Sequence, residues 1–222
     1  MLKLSIIPLV LLASLAAVRA DLTVVEQIST TNRTTTDTLE IRGDKMRMGQ
    51  PGGMSVIVDL KTRDSITLLT NKMFIEKPGK FVLWEMQQEE KHTHGTNEMD
   101  RPSAPAVDTG RSEVINGTPA EIYTWSGAYG CTATLWVATN FPNFAAIRPE
   151  LYKVDAFNDT GPHRNAQPAL STLPGMVIKR ENSYRGHTVT NTLVSVTIEP
   201  IEPAHFQCPP DYTRWTRPAK TE

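Results

Sequence analysis

The chain has 222 residues, with 23 basic and 24 acidic side chains, a formal net charge of −1 at pH 7 and 39% hydrophobic residues. A near-neutral balance excludes bulk electrostatic capture of nucleic acid or of an anionic membrane surface. The length suits one domain with a sizeable core.

The chain opens Met1-Leu2-Lys3, runs apolar from Leu4 to Val18, and closes that run with Arg19-Ala20. A basic start, an apolar stretch and small residues before Asp21 make the pattern of a secretory signal peptide over residues 1–20. The apolar run is shorter than the ~20 residues of a membrane span; the alternative is an uncleaved N-terminal anchor. No cysteine directly follows Ala20, so a lipid-modified N-terminus of the bacterial lipoprotein type has no acceptor there. Cleavage removes Lys3 and Arg19 from the 23 basic residues and leaves a net −3 against the 24 acidic ones. The expected location is periplasmic or secreted, with no membrane span after cleavage.

Leu22 to Ser29 alternates Leu22, Val24, Glu26 and Ile28 against Thr23, Val25, Gln27 and Ser29, which predicts a strand. Thr30 to Thr36 is polar and predicts a turn. Leu39 and Ile41 mark a second strand ending at Gly43-Asp44, and Lys45-Met46-Arg47-Met48 a third. Gln50-Pro51-Gly52-Gly53 is a turn signal. From Val56 to Ile75, period-two alternation is broken by Thr62-Arg63-Asp64-Ser65 and Asn71-Lys72, the pattern of an antiparallel meander.

Phe81 to Glu90 fits a strand end or a short amphipathic helix. Residues 88–112, rich in charge, Pro, Thr and Gly, predict a long mobile loop. Asn116-Gly117 is a hairpin dipeptide, followed by strands over Ala120–Trp125 and Cys131–Ala138. Phe141-Pro142 predicts a helix start, and Phe144, Ile147, Leu151 and Val154 form one apolar face; Pro149 predicts a kink or two short helices. Residues 158–174 predict loop. Met176–Glu181 and Val189–Glu199 predict two long strands joined at Tyr184–His187. In the tail, Phe206 and Tyr212 are expected to pack and the remainder to fray.

About ten or eleven strands and one helical region give an α+β, mainly β fold. The expected architecture is a large curled antiparallel sheet, an incomplete barrel, with a short helical region covering its concave face. The domain plan is one domain over residues 21–213 and a tail over 214–222. An apolar cavity between sheet and helix is the expected place for a ligand.

This order resembles the bacterial lipoprotein-carrier fold and is similar to the exported DUF4412 family. The residues that carry the resemblance are Asp59-Leu60-Lys61-Thr62 with Ile66, Trp125 to Ala138 with Phe141-Pro142, Leu173-Pro174-Gly175-Met176, Leu193-Val194-Ser195-Val196, and Phe206 to Tyr212. They span most of residues 22–213 and consist of turns, strands and packing positions. The resemblance implies fold and compartment; carriers of this fold hold lipid or acyl chains.

Chemical motifs are sparse. His92-Thr93-His94 has two imidazoles able to share a strand face, but no further metal ligand at suitable spacing. Cys131 sits in an apolar strand, where a thiol is usually inert, so pairing it with His187 as a nucleophile lacks support. No Gly-x-Ser-x-Gly, phosphate loop or zinc signature occurs. Neither catalysis nor a metal or cofactor is expected. Cys131 and Cys208 are a possible disulfide in an oxidising compartment or two buried free thiols.

Methionine and aromatic side chains adapt to ligands of irregular shape. Met46, Met48, Met73, Phe74, Trp84, Trp125 and Trp136 are therefore the candidate cavity wall. The function expected is non-enzymatic binding or carriage of a lipid or acyl chain. The alternative is an envelope protein-interaction or sensing module on the same fold, without a bound ligand.

Overall fold

The computed structural model describes residues 21–80, 104–127, 130–158 and 168–216. The first half is a meander: β1 (Leu22–Ser29), β2 (Thr34–Arg42), β3 (Lys45–Gly49), β4 (Ser55–Asp59), β5 (Ser65–Leu68) and β6 (Met73–Lys77). The second half holds β7 (Val107–Ile115), β8 (Thr118–Ser126), β9 (Thr132–Ala138), the helix α1 (Phe144–Asn158), β10 (Met176–Tyr184) and β11 (His187–Ile198). A two-residue strand, β12 (Thr213–Arg214), ends the described chain's regular structure.

These strands form one open, curled sheet in the order β12-β6-β5-β4-β3-β2-β1-β11-β10-β9-β8-β7. Two antiparallel meanders are thus joined edge to edge where β1 meets β11, with Leu22 opposite Ile198 and Ser29 opposite Thr190. The sheet is mainly antiparallel, as the alternation predicts; among the described strands β12 alone pairs in parallel, beside β6.

The polar breaks fix the turns. Asp59 closes the β4–β5 connection with one carboxylate oxygen accepting from the amides of Lys61 (2.9 Å) and Thr62 (2.8 Å), and the other from Lys45 Nζ (2.7 Å). These contacts, the Lys45 bond foremost and the Thr62 amide next, lower the Asp59 pKa from its ordinary 3.8 to about 2. A depressed carboxylate pKa contributes stability above the unfolded value and loses it as pH falls through the folded one. Stability should therefore decline between pH 3.8 and about 2. Asp59→Asn should cost about 1 kcal/mol near neutral pH, a figure kept small by solvent screening, and should flatten that acid slope in urea titrations. Asn116 and Gly117, with φ of 50° and 81°, form the tight β7–β8 turn that the dipeptide predicts.

Among the described residues three apolar clusters hold the sheet. The main one packs Leu22, Val24, Ile41, Met46, Val58, Ile122, Trp136, Met176 and Ile178 against Ile147 and Leu151 of α1. A second gathers Trp125, Leu135, Val137 and Val177 under Leu170 and Leu173. The third covers Ile57 and Leu68 with Ile201 and Phe206 from the C-terminal segment. That segment is fastened by the buried Asp21 carboxylate, which accepts from the Ile201 amide at 2.8 Å, and by Arg42 donating to the Ile201 carbonyl.

Several boundaries differ from the sequence expectation. Thr34–Thr36 belong to β2, because Ser29 pairs with Thr34 and the turn needs only the residues between them. β7 starts at Val107, inside the segment expected to be loop; its polar residues lie on an outermost strand of the sheet, where water replaces a neighbour. Helix α1 begins at Phe144, after Pro142, and runs through Pro149 as one element. Its apolar face is held by enough sheet contact to tolerate the lost amide donor. The tail does not fray at Thr213: the Thr213 amide donates to the Lys72 carbonyl and the Trp215 amide to that of Phe74. The expected strand or helix at Phe81–Glu90 and the His92/His94 pair lie outside the described residues.

Candidate functional site

Helix α1 is tied to turns of the sheet through its C-terminal half. Lys153 Nζ donates to the Gly43 carbonyl in the β2–β3 turn at 2.8 Å. Arg63, in the β4–β5 turn, places its guanidinium over the Phe157 ring, 5.1 Å from the centroid, at the helix C-terminus, where a cation is favourable. On the other flank, Arg148 Nε donates to the Ser171 carbonyl (2.8 Å). Asp155 accepts from the amides of Leu170 (3.2 Å) and Ser171 (2.7 Å). These bonds fix the short turn Leu170–Thr172 beside the helix.

The clamped helix, this turn and strands β1, β2, β3, β10 and β11 enclose a cavity of about 330 Å³. It lies at the β1–β11 seam, where the two meanders join. Its walls are apolar: Val24, Leu39, Met46, Met48, Leu151, Val154, Leu170, Met176 and Val177.

The cavity also has a polar component. Glu26, Asp37, Arg180 and Asn191 line it together. Glu26 and Asp37 are direct cross-strand partners between β1 and β2, and Asn191 is opposite Arg180 between β11 and β10. Asn191 is 6% exposed and donates its side-chain amide to Glu26 at 3.0 Å. Asp37 Oδ1 and Arg180 Nε are buried and have no hydrogen-bond partner among the described residues. Most buried polar atoms in proteins are paired, so two orphans on one cavity mark it out.

Of the residues expected to form a cavity wall, Met46 and Met48 are on this one. Met73 and Phe74 are in β6, where Phe74 packs with the Ile57/Phe206 cluster. Trp125 is buried in the Leu135 cluster with its indole nitrogen donating to the Ala104 carbonyl. Trp136 is in the main core, where its indole nitrogen donates to Glu113 at 2.7 Å. Trp84 lies outside the described residues.

The polar residues of the cavity were not among those expected from sequence, although β1 carried a signal. Glu26 shares its strand face with Leu22, Val24 and Ile28, so a carboxylate stands where an apolar side chain would continue the pattern.

Cys131 and Cys208 are free thiols packed on different clusters, Cys131 with Trp125 and Cys208 with Phe206. Burial pushes both thiols above their ordinary pKa, and Glu76 and Asp211 push Cys208 further the same way, which disfavours the nucleophilic thiolate. Among the described residues no group of three or more His, Cys, Asp or Glu could hold a metal ion, and no helix is long and apolar enough to cross a membrane. A second cavity of about 340 Å³ is lined by Glu40, Arg47, Ser55, His205 and Tyr212 among others. Several of these are spent on one another: His205 Nδ1 lies 3.0 Å from Glu40, and Arg47 donates to the His205 carbonyl at 3.1 Å.

No protein-family model matches the chain, and neither does any curated protein. Solved structures with related backbones include PNGF-II, at 10% identity and a TM-score of 0.41 over 88% of this chain; the chain spans 31% of the length of that protein. An uncharacterized conserved protein from Thermus thermophilus superposes at 9% identity and a TM-score of 0.47 over 90% of this chain and 92% of its own. The lipoprotein LppX from Mycobacterium tuberculosis does so at 11% identity and a TM-score of 0.37, over 81% and 88%.

Proposed function

We infer that the chain is an exported, non-catalytic binding or carrier protein for a lipid or acyl chain held in the cavity at the β1–β11 seam. The observation that carries this reading is an apolar-walled space of about 330 Å³ between the sheet and α1. In a close-packed interior such a volume is not a packing defect of ordinary size. It lies at the small end of the ~300–1,000 Å³ typical of ligand pockets, which favours a single-chain ligand over a multi-chain lipid. Each methylene transferred from water to these walls would contribute about 0.8 kcal/mol. No bond needs to be made or broken.

A second reading, a protein-interaction or sensing module, is favoured by one observation: β7 ends the sheet with Val107 and Val114 exposed. Titration with the uncharged apolar fluorophore N-phenyl-1-naphthylamine separates the two. The carrier reading expects saturable, one-to-one fluorescence enhancement that a single-chain lipid reverses by competition. An absence of saturable enhancement would remove it and leave the interaction module.

A further inference from the structure

An apolar chain alone does not account for one side of this cavity. Its lining includes Glu26, Asp37, Asp155, Arg180 and Asn191. Asp155 is spent on the Leu170 and Ser171 amides, and Glu26 accepts from Asn191. Asp37 Oδ1, an acceptor, and Arg180 Nε–H, a donor, are both buried and unmatched among the described residues. Leaving such groups without partners costs stability. So does placing two carboxylates, Glu26 and Asp37, directly opposite each other on neighbouring strands. Local rules broken without compensation within the protein are expected where a ligand supplies the missing contacts.

Resting on the carrier reading, we propose that the cavity selects an uncharged single-chain amphiphile whose head offers both a hydrogen-bond donor to Asp37 and an acceptor to Arg180, such as a hydroxyl- or amide-bearing head. The composition of the cavity rules against the other heads. Among the described residues three carboxyl side chains line it against one guanidinium, so a free fatty acid would bring a further carboxylate beside them. An ammonium head would satisfy Asp37 and leave Arg180 Nε–H without an acceptor, because an ammonium has none. A glycerol ester or a simple amide has both functions. Binding no longer depends on the chain alone: the walls set its length and the Asp37/Arg180 side chooses its head.

The test holds the chain constant and varies the head. Calorimetric titration of the purified protein with monolauroylglycerol, laurate and dodecylamine should give the glycerol ester about tenfold tighter binding than either charged ligand, the scale of one or two hydrogen bonds. Asp37→Ala should weaken the glycerol ester, strengthen laurate and collapse the preference, while raising the Tm of the ligand-free protein by about 2–4 °C as the orphan disappears. Arg180→Met should likewise weaken the glycerol ester. Asp37→Ala is expected to gain stability, so its loss of preference cannot be ascribed to unfolding. Equal binding of all three heads, or tighter binding of laurate, overturns the head-group inference and leaves the carrier reading standing. Failure of all three ligands and of the naphthylamine probe overturns both.

Discussion

Replacement of Trp136 by alanine should cost about 3–5 kcal/mol of folding stability, the range for large aromatic truncations in a core. Trp136 is 6% exposed in β9 and packs in the main cluster with Ile122 and Met176. Its ring also carries the Lys179 ammonium, 4.0 Å from the centroid, and its indole N–H donates to Glu113 on β7 at 2.7 Å. The indole therefore links strands β7, β9 and β10 across the distal end of the sheet, and its removal both opens a void and strips Glu113 of a donor. Trp136→Phe separates these effects. It keeps most of the ring, loses the N–H, and should cost about 1–2 kcal/mol. Urea unfolding monitored by far-ultraviolet circular dichroism reads both values. A loss below about 1 kcal/mol for Trp136→Ala would contradict the assignment of this residue to the core.

The second large effect is on binding. Val154 is half-buried on α1 and faces the cavity from the helix side. Val154→Trp puts an indole into existing empty space, so it avoids the strain that overpacking causes in a filled core. It should abolish saturable binding, a loss of more than about 100-fold in affinity, with stability unchanged or raised, as cavity-filling substitutions commonly give. Tyr152→Trp, at a helix position 66% exposed to solvent, is the control and should bind as the parent does. Binding retained by Val154→Trp would place the ligand elsewhere.

Much of the sheet was legible because its information is local. The β1–β6 meander announces itself through alternation broken by Asn32-Arg33, Gly43-Asp44, the Gln50–Gly53 turn and Thr62–Asp64. The helix face of Phe144, Ile147, Leu151 and Val154 is likewise a matter of spacing, and Ile147 and Leu151 are buried as that spacing predicts. What could not be read is what depends on register between distant strands. Nothing near Leu22 announces that β1 pairs with β11, which closes the seam on which the cavity lies.

The same holds for the site. Met46 and Met48 fall on the cavity, whereas Met73 and Phe74 sit in a strand with the same local character. The difference is set by the C-terminal segment, whose Phe206 packs with Ile57 of β4 and Leu68 of β5 and draws Phe74 to it. Trp125 and Trp136 are spent on structure because each indole N–H already has an acceptor. The polar residues are split among β1, β2, β10 and β11, so Asp37 and Arg180 come onto one cavity only after folding. Within one strand, Glu26 on an otherwise apolar face was the single local hint.

The carrier reading stands on the cavity being a ligand site. Native mass spectrometry of the purified protein, beside a sample extracted with organic solvent, tests that most directly. The expected result is an additional mass of single-chain lipid size in the first sample, absent from the second and absent from Val154→Trp prepared in the same way. A bare polypeptide mass in every sample, together with no uptake of added monolauroylglycerol by the extracted protein, would contradict it.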